Sequence, residues 1–238
     1  MTDLSPLPES FAEALYSLYN LEPQLGSDGQ LHPIDETTRI SAEAGLNLYE
    51  ICKSRNAQTS LEIGMAYGFS TLYFLAAGCS HTAIDPFERS RWHGIALTAV
   101  QKLGKPVEFI EDNSFTALAG LAAAKRQFDV ILIDGNHRFD DVLVDFTLAA
   151  LLSKVGSIIL LDDLWMPSIS LVREFILKNR SDFAAVESSS RFAAFQMLHH
   201  DDRPWDHFTD FSPPPAAKQL LKQLFRKVSH KVAARSVV

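Results

Sequence analysis

The chain has 238 residues, 47% of them hydrophobic and 21% charged, with a net charge of −7. That length suits one large domain or one and a half, and the acidic balance argues against nucleic acid as the main partner. Two cysteines, Cys52 and Cys79, have neither metal spacing nor a disulfide framework and read as buried thiols. No stretch approaches the ~20 uninterrupted apolar residues of a spanning helix. The start "MTDLSPLPES" has no apolar core of a signal peptide, so a reducing, cytoplasmic setting is expected.

In chain order, "SFAEALYSLYNL" is a short amphipathic segment, followed by a polar, turn-rich stretch through "GSDGQLHP". A helix is expected from Ser41 to about Arg55, because Leu46, Leu48, Tyr49 and Cys52 gather on one face. Next come the apolar runs "TSLEIG", "HTAID", "VEFIE", "FDVILID" and "GSIILLDD", separated by helical patterns such as "FSTLYFLAAG", "SRWHGIALTAVQKLG" and "DDVLVDFTLAALLSKVG". Short runs rich in Ile, Val and Leu between helices indicate a Rossmann-like, doubly wound α/β fold with a mainly parallel sheet.

After a helix "SISLVREFILKN", the segment "FAAVESSSRFAAFQML" reads as two strands around a Ser-rich turn. That hairpin would close a seven-stranded sheet with antiparallel pairing. Residues 200–215, with three consecutive prolines, read as loop. The tail from Ala216 is expected as an amphipathic helix carrying Lys218, Lys222, Arg226, Lys227, Lys231 and Arg235 with no acid. It could lie on an anionic surface, its own acidic domain or a second subunit of a homodimer. The expected division is 1–39 as an N-terminal extension, 40–199 as the main domain and 200–238 as loop and basic helix.

Ligands of open parallel sheets bind beyond the carboxyl ends of the strands. Those ends carry Glu62, Asp85, Asp112, Asp134 and the pair Asp162–Asp163. Such an acidic rim repels phosphates and favours a ligand with positive charge and ribose hydroxyls. The first loop reads Gly64-x-x-x-Gly68 with Ala at position 66. It therefore resembles but does not match the G-x-G-x-x-G pyrophosphate fingerprint. Asp85, at the end of the next strand, can accept hydrogen bonds from both ribose hydroxyls, so an adenosine is the expected ligand. Simple turn chemistry at the two glycines is the blander account.

The sequence resembles the class I S-adenosylmethionine (SAM)-dependent methyltransferases over roughly Ile40 to Leu198. It is similar to the group with an E-x-G-x-x-x-G-x-S-T loop and an I-D-G-x-H strand end. Here these are Glu62, Gly64, Gly68, Ser70 and Thr71, then Ile133, Asp134, Gly135 and His137. The resemblance implies that Glu62 and the glycine loop face the methionine part of SAM and that Ser70 opens the next helix. By the same resemblance Asp85 holds the ribose, Pro86 and Phe87 flank the adenine, and Asn113 and Ser114 border its far edge. The acceptor would be a small molecule, with a hydroxyl receiving the methyl group.

Asp134 and Asp162–Asp163 end neighbouring strands and can converge. The arrangement is similar to the catechol O-methyltransferase type, where an acid and an Asp–Asn pair hold magnesium; Asp163 departs from that pattern. Three carboxylates with no adjacent Lys or Arg repel one another by several kcal/mol at an effective dielectric near ~20 unless a cation or proton intervenes. Mg²⁺ suits such hard oxygen donors. The alternative is that Asp162 or Asp163 caps the following helix or bonds backbone amides.

His137 lies three residues past Asp134 and is the expected base, with an imidazole that ordinarily titrates near ~6.5. A cap or a loop-carbonyl bond is its structural alternative. His93 would lie over the adenine, and Trp165 and Met166 either shape an acceptor pocket or pack on the next helix. The histidines of "HHDDRPWDH" read as a solvated loop. A scaffold that keeps the pocket without catalysis, or a nicotinamide-dependent dehydrogenase, are the competing classes; Ala66 and the closing hairpin oppose the dehydrogenase.

Overall fold

Alternating apolar runs and helical patterns resolve into a three-layer α/β architecture in the computed structural model, which describes residues 3–211. The chain opens with α1 (Glu9–Tyr19) and a two-stranded hairpin of β1 (Gln24–Leu25) and β2 (Leu31–His32), then α2 (Ala42–Ser54). Five strand–helix repeats follow: β3 (Thr59–Ile63), α3 (Phe69–Ala77), β4 (Ser80–Ile84), α4 (Ile95–Lys102), β5 (Val107–Ile110), α5 (Ser114–Ala123), β6 (Phe128–Ile133), α6 (Phe139–Leu151), β7 (Ser153–Leu161) and α7 (Pro167–Asn179). The antiparallel strands β8 (Phe183–Val186) and β9 (Ala193–Met197) complete the sheet.

The seven strands run in the order β5-β4-β3-β6-β7-β9-β8, with parallel pairing up to β7 and antiparallel pairing beyond it. The expected closing hairpin is present. Strand order reverses between β3 and β6, and this switch point is where a crevice opens, because the helices after these strands leave on opposite faces. Val130, Ile131, Leu132 and Ile133 of β6 are all buried, as a strand covered on both faces must be.

Two apolar cores lie on the two faces of the sheet. One joins α1, α2 and α3 through Phe11, Leu15, Leu48 and Phe74; the other joins α5, α6 and α7 through Leu118, Phe146 and Val172. The N-terminal segment shares the first core through Leu4 and through Phe11, Leu15 and Leu18, the last three set on one face of α1 at helical spacing. Ser41 caps α2, accepting the N–H of Ala44 at 3.1 Å, so the expected helix from Ser41 to Arg55 forms within a residue of its limits.

The helix expected over "SRWHGIALTAVQKLG" is shorter. It starts only at Ile95, because His93 and Gly94 hold left-handed backbone (φ 57° and 66°) that breaks the run before it. Cys52 and Cys79 are both buried and free. Among the described residues no helix is long and apolar enough to cross a membrane. The expected basic tail helix lies outside the described residues.

Candidate active site

The carboxyl ends of β3, β4, β5 and β6 open into one cavity of about 930 Å³. Its floor is the turn from β3 into α3. Gly64 (φ 94°) and Gly68 (φ 83°) hold left-handed conformations there, which only glycine adopts without strain. A Cβ on Gly64 would collide with the Asp134 carbonyl, reaching its carbon at 2.8 Å, and one on Gly68 would reach Ala96 Cβ at 2.8 Å. The glycines thus let β3 lie against the end of β6 and let α3 lie against α4.

Ala66 is also left-handed, at φ 44°. The chain takes the conformation of a glycine loop there although the residue carries a side chain. Asp85 compensates. Its Oδ2 accepts the N–H of Met65 (3.1 Å) and Ala66 (2.9 Å), and Oδ1 accepts that of Phe87 (2.8 Å). Asp85 is buried yet lines the cavity, beside Pro86 and a Phe87 ring that is 53% exposed. Oδ1 has acceptor capacity left for a ligand hydroxyl.

Asn113 and Ser114 line the same wall. Asn113 caps α5 through its side chain, accepting the Thr116 N–H at 3.1 Å. Thr37, Thr38 and Ile40 from the N-terminal segment close the cavity from the other side.

Glu62 is not where the motif resemblance puts it. Its side chain points away from the cavity, fully buried, and accepts the hydroxyls of Ser70 (2.7 Å) and Thr71. His81 Nε2 lies 3.2 Å from it, and His81 Nδ1 is 2.8 Å from the Ser60 hydroxyl. Glu62 therefore ties the start of α3 to β3 and β4, and reaches the cavity only through Ser70, which does line it.

Asp134, His137 and Asp163 form the opposite wall. One donor atom of each lies within 4.8 Å of the others. His137 Nε2 is 3.0 Å from Asp163 Oδ2 and 3.7 Å from Asp134 Oδ1, with no well-aligned hydrogen bond to either. The carboxylates of Asp134 and then Asp163 push His137 up to about 10. The expectation of an imidazole titrating near neutrality is corrected accordingly: His137 is a cation at pH 7. Asp134 is pushed well above the usual carboxylate range, first by burial and then by the charge of Asp162. For Asp163 burial works in the opposite direction to its partners, and the His137 and Trp165 hydrogen bonds bring it below the ordinary value.

The expected set of three uncompensated carboxylates needs a second correction. Arg191, from the β8–β9 turn, reaches both members of the acidic pair. Its Nε and Nη2 meet Asp162 Oδ1 and Oδ2 at 2.5 and 2.9 Å, and Nη2 lies 2.9 Å from Asp163 Oδ1. The Asp162 side chain has no exposure and does not line the cavity. The donor set Asp134, Asp162 and Asp163 does not fit Mg²⁺, because both Asp162 oxygens are engaged by a guanidinium that repels a dication.

Asp163 does not cap α7. Its backbone is left-handed (φ 54°), and its Oδ1 accepts the Trp165 indole N–H at 2.9 Å. Trp165 is itself 71% exposed, and neither it nor Met166 lines the cavity. His93 also lies off the cavity wall, stacked on His32 at 3.9 Å. No metal-type cluster forms at His199, His200 and His207 among the described residues. Sequence reasoning missed Arg191 and Arg91, which also lines the cavity.

Residues 61–164 match a family model described as a methyltransferase domain. No curated protein sequence matches the chain significantly. Among solved structures it is similar to the O-methyltransferase TomG from Streptomyces achromogenes, involved in tomaymycin synthesis and crystallised with SAM: TM-score 0.61, 19% identity, covering 80% of this chain and 90% of that one. An O-methyltransferase from Bacillus cereus in complex with S-adenosylhomocysteine (SAH) gives a TM-score of 0.59 at 21% identity, over 82% and 91% of the two chains. The SAH-bound methyltransferase PaMTH1 from Podospora anserina gives 0.61 at 16% identity, over 80% and 88%. At these identities the structural likeness is one of fold. Residues 61–164 thus match a methyltransferase-domain model, and the chain has the Rossmann-like fold seen in these methyltransferase structures.

Proposed function

We propose that the protein transfers the methyl group of SAM to a hydroxyl of a small molecule. The observation that carries this reading is the cavity itself. One end has the glycine loop, Asp85 and the Asn113–Ser114 edge; the other has Asp134, His137 and Asp163. A nucleoside and an acceptor could therefore meet within one enclosure.

The residues fit SAM on three grounds. Gly64 lets the β3–α3 loop close on the Asp134 backbone, so that loop and strand end border the same cavity. Asp85 keeps a free lone pair beside an exposed aromatic ring. Asp85, Asp134, Asp141 and Asp163 on the wall offer carboxylates to a cationic ligand, alongside Arg91, Arg138 and Arg191. When bound, SAM supplies an electrophilic methyl group on a sulfonium. The protein's tasks are then to align the acceptor oxygen and to take its proton.

Three carboxylates (Asp134, Asp162, Asp163) face two cations (His137, Arg191). Asp134, raised by burial and by Asp162 while Asp163 is lowered, is the carboxyl of this wall best matched to take a hydroxyl proton. His137, 3.0 Å from Asp163 and 3.7 Å from Asp134, lines the cavity and sets a cationic group beside the carboxyl that takes the proton. No step in this account passes through a metal.

Calorimetry with SAM and SAH tests the reading. The expected result is binding of both by the wild-type protein, followed by methyl transfer from SAM to hydroxyl compounds in a substrate screen. Binding of NAD with none of SAM would refute it.

A further inference from the structure

We infer that Arg191 takes, as a residue of this chain, the place a divalent cation would hold among these carboxylates, so that methyl transfer here needs no added metal. The inference rests on the methyl-transfer reading above. One guanidinium bridges both members of the acidic pair, through Asp162 Oδ1 and Oδ2 at 2.5 and 2.9 Å and Asp163 Oδ1 at 2.9 Å. This is the fork geometry that matches a carboxylate in two places at once, and a guanidinium keeps its charge at any physiological pH.

The backbone holds Arg191 in position independently of its side chain. β9 pairs with β7 in a register that sets Leu161 against Ala193 and Leu160 against Ala194. Continued two residues, the same register sets Arg191 opposite Asp163. The Arg191 carbonyl accepts the Leu164 N–H at 2.9 Å, which clamps the hairpin turn onto the β7–α7 loop. The guanidinium is largely buried, with 25% of the side chain exposed, and it lines the cavity.

A dication at this wall would have to displace Arg191 or share Asp163 with it. Displacement strands a largely buried guanidinium without its partners, and sharing places like charges side by side. His137, on the other oxygen of Asp163, adds a second resident cation. Arg191 is thus a positioning residue. It neutralises Asp162 and fixes Asp163 beside His137 and Asp134.

The test is a calorimetric and electron-paramagnetic titration of the chelator-treated full-length protein with Mn²⁺ alone, for wild type, Arg191→Met and Arg191→Lys. Wild type and Arg191→Lys should show no saturable site below millimolar Mn²⁺. Arg191→Met frees Asp162 and Asp163 and should gain Mn²⁺ affinity by roughly 10–100-fold or more. A micromolar Mn²⁺ site in wild type, lost on Asp134→Asn, would overturn the inference, as would an Arg191→Met protein with no gain. If Arg191→Met does not fold, the wild-type titration still decides. SAM binding is measured separately, so loss of the methyl-transfer reading would be seen without Mn²⁺, and a metal-dependent enzyme would be seen with SAM bound.

Discussion

Replacing Asp85 with Ala removes one carboxylate that organises two loops at once. Its oxygens receive three backbone N–H groups, from Met65, Ala66 and Phe87, at 2.8–3.1 Å. A hydrogen bond to a charged acceptor contributes about 1.5–3 kcal/mol, but two of these share an oxygen and do not add fully. Ala66 depends most on the carboxylate, because its left-handed backbone costs about 1–2 kcal/mol and needs an external hold. Water entering from the cavity recovers part of the loss. The expected destabilisation is therefore about 2–4 kcal/mol, a large share of a total stability of roughly 5–15 kcal/mol. Loss of the loop also removes the proposed nucleoside cradle, and a deficit of ~2 kcal/mol in binding corresponds to roughly 30-fold in Kd. Urea unfolding measures the first quantity and calorimetry with SAH the second. Asp85→Asn keeps one acceptor and should fall between Ala and wild type in both. An Asp85→Ala protein with wild-type unfolding midpoint and wild-type SAH affinity would refute the reasoning.

Three other perturbations probe separate parts of the structure. Gly64→Ala drives a Cβ into the Asp134 backbone at a φ of 94°, where neither strand can yield; a loss of more than ~3 kcal/mol is expected in thermal unfolding, and an unchanged Tm would contradict it. Glu88 is wholly buried, accepts the N–H of Ala96 at 3.1 Å, and burial pushes it up to about 8. Between about 4.5 and 8 the folded chain keeps a proton that the unfolded chain has released, so stability falls with rising pH by up to ~1.4 kcal/mol per unit, and Glu88→Gln should flatten that slope. His137, raised to about 10 by Asp134 and Asp163, contributes stability that is fully present below about 6.5 and is lost as pH rises through about 10. Its replacement by Gln should remove that alkaline loss and lower methyl transfer, and a wild-type rate profile with a base limb at pH 6.5 would count against a charged His137.

The strands and most helices were legible because their signals are local. A fully apolar run such as that of β6 can only be covered on both faces, and the 3.6-residue spacing of α2 needs no distant partner. The turn of Gly64 and Gly68 and its neighbour Asp85 were legible for the same reason: turn, strand end and spacing all lie within one β–α–β unit. The contact of Glu62 with α3 was also within reach, since Ser70 and Thr71 stand in the first turn of that helix, but which face a strand residue takes depends on parity. The truncation of α4 follows from a left-handed His93, which no periodicity reports.

By itself the sequence determined the layers, the closing hairpin and the presence of an acidic rim, because each follows from short-range pattern. Only the tertiary structure decided the charge state of that rim. Arg191 lies 29 residues beyond Asp162, and it meets the acidic pair only because one antiparallel register, rather than another, joins β9 to β7. A slip of one residue would turn Arg191 to the opposite face of the sheet and leave the carboxylates uncompensated. Register is set by the packing of whole strand faces, a sum over many distant side chains, and so the residue that governs the chemistry of Asp162 and Asp163 was invisible in the linear motif that contains them.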